Sequence, residues 1–187
     1  MKKGSLVLGI IVILLVALIG GVVSSYNSLV SMETAVDSSW AEVENLLQNR
    51  ADLIPNLVAT VRGYASHEEG VFSEIANARS RLIGAGSASE ALEANQQLES
   101  ALSRLLVIVE QYPQLKADTH FTRLMDELAA SENKIAQGRR RYNQAVEAWN
   151  VKIKQFPTVV IANMFGKQAR PFFEARPGAE EVPQVQF

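Results

Sequence analysis

The sequence predicts an all-α protein in which a single N-terminal transmembrane helix precedes an elongated antiparallel four-helix bundle. Three observations support this fold class. The chain begins with an uncharged apolar run over residues 4–25. Beyond that run, apolar side chains recur at alternating spacings of three and four, which is typical of helices packed against helices. No segment shows the period of two that indicates a strand.

The apolar run over residues 4–25 is long enough to cross a bilayer, which takes about 20 apolar residues. Lys2 and Lys3 precede it, and Glu33 and Asp37 follow it before the next basic residue, Arg50. The positive-inside rule therefore predicts a single-pass protein of the bacterial cytoplasmic membrane, with a cytoplasmic N-terminus and a periplasmic helical domain. A cleaved signal peptide, whose apolar core is shorter, is the alternative.

Composition excludes several classes of function. The chain has no cysteine, so it has neither a disulfide framework nor a thiol nucleophile. Its formal net charge of −2 provides no general electrostatic basis for binding nucleic acid.

The first helix of the bundle is predicted from Tyr26 to Ser66. Glu33 and Arg50 occupy polar positions in its apolar seam. Pro55 is expected to kink the helix without ending it, because the seam keeps its phase on both sides. The alternative is a break at Asp52, which would cap a new helix. The apolar seam consists of Leu29, Val36, Trp40, Val43, Leu47, Ile54, Leu57, Val61 and Tyr64.

Glycine and capping signals delimit the shorter helices. Gly84 is expected to end the second helix by adopting the left-handed conformation. Ser87 followed by Glu90 forms a capping box that starts the third helix, and Pro113 bars its continuation.

The fourth helix is predicted over residues 119–155, with a seam from Phe121 to Phe156. One or two further turns follow over 159–165 and end at Gly166. The predicted organisation is therefore an anchor over 1–25, a helical bundle over 26–166 and a disordered, proline-bearing tail over 167–187.

Polar side chains crowd the segment RADLIPNLVATVRGYASHE, residues 50–68. A helix with so many polar groups beside its packed face needs partners that satisfy them. We expect those partners on the last helix, in a network that selects which helix faces which. The predicted structural network consists of Arg50, Asp52, Asn56, Arg62, Glu68, Glu132, Asn133, Arg139 and Asn143.

The same residues do not match known catalytic or metal-binding patterns. Neither His67 nor His120 has a glutamate three residues before it, so the Glu-x-x-His pair of di-metal bundles is absent. Asp52 and Glu68 would lie ~24 Å apart on one helix. Phosphate-binding loops and Ser-centred elbows are also absent. The sequence predicts no catalytic residue, metal site or cofactor.

The segment after the fourth helix is a candidate for contact with the membrane or with another copy. Aromatic and aliphatic side chains can enter the bilayer interface, and Lys152, Lys154 and Lys167 could contact anionic headgroups. The candidate contact residues are Val159, Val160, Ile161, Phe165, Phe172 and Phe173.

The sequence resembles the LemA family of bacterial membrane-anchored helical proteins. The matching segments are YNSLV, RADLIPNLVATVRGYASHE, ALSRLL with EQYPQLKA, SENKIAQGRRRYN and QFP, which together cover Tyr26 to about Gly166. The resemblance implies a four-helix bundle behind one transmembrane helix and no established enzymatic activity. Relatives in magnetosome membranes imply a link to membrane organisation.

The expected function is a non-catalytic scaffold that spans the bilayer through residues 4–25, self-associates and contacts other membrane proteins. The alternative is a sensor or carrier that holds a small apolar ligand between its helices, in space left by Gly138. A hydrolase is a third hypothesis, which requires carboxylates of residues 50–68 to converge with His67 or His120 in one cleft.

Overall fold

The computed structural model describes residues 2–65 and 67–173, and within them it contains six α-helices and no strand. The predicted all-α class is confirmed for this part of the chain. A short helix, α4, is not predicted by the sequence. The helices are α1 (Lys2–Arg62), α2 (Glu69–Ile83), α3 (Ala88–Val109), α4 (Pro113–Lys116), α5 (Thr119–Lys152) and α6 (Thr158–Met164).

The described chain divides into two compact units. The first unit comprises residues 2–39 and 143–172, and the second comprises residues 40–142 together with Phe173. Both α1 and α5 contribute residues to each unit. The two units are defined by contacts in three dimensions. The predicted division into an anchor, a helical bundle and a tail was based instead on composition along the chain.

The beginning of α1 is apolar and exposed. Side chains from Val7 to Val23 have no protein packed over them, and no residue of the most apolar window of α1 is buried. By length and composition, α1 is the one helix in the described part of the chain that could cross a membrane. Such a surface is stable when lipid covers it.

Further along, α1 continues without interruption through Pro55. The predicted continuation is confirmed, and the alternative break at Asp52 is wrong. The seam explains why the helix persists, because Ala51, Ile54 and Leu57 are all buried around the proline. Their packing outweighs the loss of one backbone hydrogen bond.

The predicted boundary between α2 and α3 is confirmed in position. The Ser87 hydroxyl accepts a hydrogen bond from the Glu90 N–H, and the Glu90 carboxylate accepts one from the Gly86 N–H at 2.8 Å. The explanation offered for the end of α2 is wrong, however. Gly84 has a φ of −88°, and its N–H donates to the Ser80 carbonyl as in an ordinary last helical turn.

The end of α5 differs from the prediction. The helix ends at Lys152 and not at Gln155, so Phe156 leaves the helical phase and is 83% exposed. The predicted short helix follows as α6 and ends at Gly166, which has a φ of 65°. The Lys167 N–H donates to the Ala162 carbonyl at 2.8 Å, a bond that characterises a Schellman helix end.

Residues 167–173 are held by specific bonds, which corrects the prediction of disorder for this segment. Trp149 Nε1 donates to the Gln168 carbonyl at 2.9 Å. The Asn150 side chain donates to the Arg170 carbonyl and accepts from the Arg170 N–H. Backbone groups satisfied in this way fix an irregular segment in place. The rest of the predicted tail, 174–187, lies outside the described residues.

In the second unit, Gly138 lets α5 approach α1 closely. A Cβ atom at this position would lie 2.9 Å from Leu46 Cδ1 and 3.4 Å from Val43 Cγ2. The space that the sequence suggested opposite Gly138 is therefore filled by these side chains and is not available to a ligand.

We expect Gly138→Val to lower the free energy of unfolding by about 1–3 kcal/mol, because the branched side chain would displace Leu46 from a packed position. Chemical denaturation of the full chain in detergent, followed by circular dichroism, measures this loss. Gly70→Val is the control, since nothing lies within 4 Å of a Cβ at Gly70. Equal losses in the two variants would show that α1 and α5 are not closely packed at Gly138.

Candidate functional site

A buried arginine joins three helices of the second unit. Arg50 of α1 is only 6% exposed. Its Nη1 donates to Asn95 Oδ1 of α3 at 2.9 Å and to Glu132 Oε2 of α5 at 2.6 Å. The same nitrogen lies 3.5 Å from Glu99 Oε1 of α3. These residues, Arg50, Asn95, Glu99 and Glu132, are called the arginine cluster below.

The cluster keeps a positive charge in a poorly solvated place. Burial lowers the pKa of Arg50 from its ordinary value, and the neighbouring Glu132 carboxylate opposes that shift. Because arginine is effectively always protonated in proteins, the guanidinium remains charged at neutral pH. Its Nε is buried and has no hydrogen-bond partner, so one polar group of the cluster is unsatisfied.

A groove opens beside the arginine cluster, between α3 and α5. Its volume is about 700 Å³, within the range of roughly 300–1,000 Å³ that is usual for ligand pockets. Arg50, Glu99 and Glu132 contribute its charged part. Most of its other wall is apolar and is formed by Leu57, Leu102, Leu105, Leu106, Met125, Leu128 and Ala129. The packed network expected from the sequence therefore has an open side.

Of the predicted network, the structure brings Arg50 and Glu132 together. Asp52 lies elsewhere, with its Oδ1 3.7 Å from Arg79 Nη2 of α2. The Nε of Arg79 donates to the Ala51 carbonyl at 2.8 Å. Asp52 thus contacts α2 and not the last helix.

Two further arginines of the predicted network lie against aromatic rings. The Arg62 guanidinium lies 5.1 Å from the centre of the Phe72 ring, and that of Arg139 lies 4.5 Å from the Phe173 ring. Burial lowers the pKa of Arg139, and Glu132 opposes the shift. Asn56 and Asn133 are exposed, and Glu68 and Asn143 are half-buried.

The sequence reasoning missed Asn95 and Glu99, although a signal was present. Asn95 lies between Ala91 and Leu98 on the apolar face of α3, and it is 1% exposed. An asparagine in such a seam commonly specifies how helices pair. Its amide donates to Glu99 Oε1, four residues further along α3.

The structure separates the candidate contact residues into two groups. Ile161 and Phe173 are buried, which corrects their assignment as contacts with the membrane or another copy. The Phe173 ring lies 6.2 Å from the ring of Trp40 in the second unit. Phe165 is about half exposed, and the other three are exposed or half-buried: Val159, Val160 and Phe172.

Neither histidine lines the groove, and both are exposed. The N–H of His120 donates to Asp118 Oδ1, which caps α5. Among the described residues, no three His, Asp or Glu side chains are grouped as metal ligands. The convergence that the hydrolase hypothesis requires is not found in the part of the chain that the structure describes.

Together, the apolar start of α1 and the helical fold of the described residues indicate a membrane-associated helical protein. The chain belongs to the LemA family, whose sequence pattern matches residues 39–187. The predicted family membership is confirmed.

Three relatives illustrate this membership. The chain is 28% identical to "Magnetosome protein MamQ" of Magnetospirillum gryphiswaldense, over 96% of this chain and 77% of the relative. It is 26% identical to "Magnetosome protein MamQ 2" of Paramagnetospirillum magneticum, over 90% and 72% of the two chains. It is also 24% identical to "Protein LemA" of Metamycoplasma hominis, over 80% and 68%.

We expect Arg50→Ala to lower the free energy of unfolding by about 3 kcal/mol, because it leaves carboxylates without the charge that they face. Arg104→Ala is the matched control. Arg104 donates to both Glu74 oxygens at 2.8 and 2.7 Å, but this pair is exposed, so its loss should cost only about 0–1 kcal/mol. Denaturant titration of the full chain in detergent measures both values.

Equal effects of Arg50→Ala and Arg104→Ala would show that the Arg50 charge is effectively solvated. Arg50→Met separates charge from packing, since methionine retains much of the apolar stem. We expect it to remain destabilising, because Glu99 still loses its charge partner.

The Asp118 cap at the start of α5 should make the stability of the fold depend on pH. Hydrogen bonds from the Phe121 N–H and then from the Tyr64 hydroxyl hold the pKa of Asp118 below its ordinary value. The ionised carboxylate therefore stabilises the fold above the unfolded pKa of about 3.9, and this contribution is lost as pH falls through the lower, folded pKa.

Asp118→Ala should accordingly lower the melting temperature at neutral pH, and the difference from the unmodified chain should shrink in acid. Melting curves at a series of pH values test this dependence. Asp126→Ala is the control, because Asp126 is exposed within α5 and caps no helix. A pH-independent effect of Asp118→Ala would contradict the assignment of a charged cap.

Proposed function

We propose that this protein is a membrane-anchored, non-catalytic scaffold whose helical domain binds further copies of itself and thereby contributes to membrane organisation. In this proposal α1 spans the bacterial cytoplasmic membrane, the N-terminus is cytoplasmic and the helices after Tyr26 are periplasmic. Lys2 and Lys3 before the apolar run, and the acidic residues after it, support this orientation. The periplasmic helices form an antiparallel four-helix bundle.

The groove between α3 and α5 is the observation that carries the proposal. Leu106 is 41% exposed in its wall, and Leu102 and Met125 are half-buried. The adjacent Arg50 and Glu132 make an ion pair with each other. A partly exposed apolar strip beside charged groups is typical of a protein-binding surface.

A helix of another copy fits this surface in shape and chemistry. Grooves between helices bind amphipathic helices through apolar side chains. The exposed side of α3 presents Leu106 and also Val107, which is 68% exposed. When the same surface lies on both partners, a symmetric dimer can bury both apolar strips at once. Two of the relatives are named as magnetosome proteins, and the proposal does not assign that organelle to this chain.

We expect Leu106→Glu to shift the full chain in detergent from an oligomer to a monomer, because it places a charge in the apolar wall of the groove. Light scattering after gel filtration, over a range of protein concentrations, measures the mass. Ile83→Glu is the matched control: Ile83 is 45% exposed but does not line the groove. Leu106 and Ile83 are similarly exposed, so the two substitutions should have similar effects on stability.

A cysteine at position 107 supplies an independent readout, since the chain contains no other cysteine. Val107→Cys should form disulfide-linked dimers in membranes if the α3 surfaces of two copies meet. An unmodified chain that stays monomeric at every concentration, or an equal response to Leu106→Glu and Ile83→Glu, would contradict self-association through the groove.

The second candidate function is a sensor or carrier of a small apolar ligand. The volume of the groove and its leucine-rich wall favour it, with a small apolar molecule such as an alkyl chain as the ligand class. A neutral pyrene-labelled alkyl chain would then bind to the unmodified monomer and lose affinity in Leu106→Glu. If the probe does not bind while the chain self-associates, the scaffold function is favoured.

A further inference from the structure

The short helix α6 has one buried face and one exposed apolar face. Thr158, Ile161 and Ala162 are buried. Val160 and Met164 are 56% and 69% exposed, and their spacing of four places them on one side of the helix. Phe156, just before α6, adds an 83% exposed ring. Phe156, Val160 and Met164 are called the α6 face below.

A contact within the first unit gives the α6 face a position along α1. The ring of Phe165, the residue after α6, lies 4.6 Å from the ring of Tyr26. Tyr26 directly follows the apolar run. Residues 7–25 of that run span ~28 Å of helix. This length matches a hydrocarbon core of about 30 Å. Tyr26 therefore lies where that core would end, a level at which tyrosine is enriched in membrane proteins.

The whole of α6 must lie close to the depth at which the hydrocarbon core would end. Seven residues of helix extend only ~10 Å, so the other end of α6 stays within about that distance of its Phe165 end. Exposed apolar side chains at this depth are close to the acyl–headgroup boundary, which accommodates amphipathic helices lying along the membrane surface.

We propose that the α6 face is a second membrane contact, which enters the interfacial layer of the leaflet from which α1 emerges. This inference rests on the proposed anchoring by α1. Nearby charge suits the same occupant, because Lys154 is exposed and Lys152 is half-buried, and anionic headgroups attract such side chains. Lys167 serves a different purpose, since its ammonium group pairs with Glu33.

Two contacts with one leaflet have a mechanical consequence. A single helix anchors a protein but leaves it free to rotate about the helix axis. A second contact through the α6 face restricts that rotation for the first unit. A scaffold gains from this restriction, because neighbouring copies in the membrane then present the same faces to one another.

Spin labels on single introduced cysteines test the proposal in the full chain, which has no native cysteine. The labelled Val160→Cys chain is reconstituted in vesicles that contain anionic lipid. Collision with oxygen, which concentrates in lipid, and with a water-soluble nickel chelate is then measured. Ala148→Cys is the control, because Ala148 is exposed on α5 in the same unit. Val12→Cys reports on the anchor.

We expect the label at position 160 to collide with the nickel chelate several-fold less than the label at 148, and to collide more with oxygen. Met164→Cys should give the same result, which guards against a local disturbance at one site. A lipid-exposed label at 12 with a water-exposed label at 160 would overturn the α6 contact and leave the anchor intact.

Shielding of the label at 160 from both reagents would mean that protein covers the α6 face, and it would also overturn the proposal. A water-exposed label at 12 would contradict the anchor itself, and the α6 contact would then fail with it.

Discussion

The burial of one positive charge is a strong constraint on the helices of the second unit. Arg50 is only 6% exposed. A guanidinium buried to this extent requires hydrogen-bond acceptors from the helices around it. Asn95 and Glu132 supply them at 2.9 and 2.6 Å. Leucine seams can slide by a turn and still pack, whereas these hydrogen bonds exist in only one register. We therefore propose that the cluster selects how α1, α3 and α5 pair, even where it adds little net stability.

The helices themselves were predictable because their signals are local. Spacings of three and four, the Ser87–Glu90 cap and the seam on both sides of Pro55 each depend on neighbouring residues alone. The all-α class followed from such signals, whereas the family membership followed from matching segments such as RADLIPNLVATVRGYASHE. Local signals also explain one wrong prediction. The fourth helix was predicted to extend to Gln155 because Phe156 matched the apolar seam, whereas α5 ends at Lys152.

The site was less predictable, because its geometry depends on residues that are distant in sequence. Arg50 was recognisable as a polar residue in a seam, but the positions of Asn95 and Glu99 on α3 required the three-dimensional arrangement. Tyr64 shows the same limit, since it matches the seam and yet directs its hydroxyl to Asp118. The groove was hidden for a related reason. Leu102, Leu106 and Met125 have the spacing and chemistry of core residues, and periodicity cannot show which apolar side chains remain uncovered.

The proposed functions assign different tasks to the two units. The first unit contains the apolar start of α1 and the exposed α6 face, both suited to lipid. The second contains the arginine cluster and a groove suited to another helix. If Arg50 fixes helix pairing, the groove keeps a constant shape for its partner.

A double-mutant cycle between Arg50 and Glu132 tests this central claim most directly. Unfolding free energies of Arg50→Met, Glu132→Gln and the double variant give the coupling energy between the two side chains. A structural ion pair in which Arg50 is buried should give a coupling of about 0.5–3 kcal/mol. A coupling near zero would contradict the claim, because Arg50 and Glu132 would then be independent solvated charges.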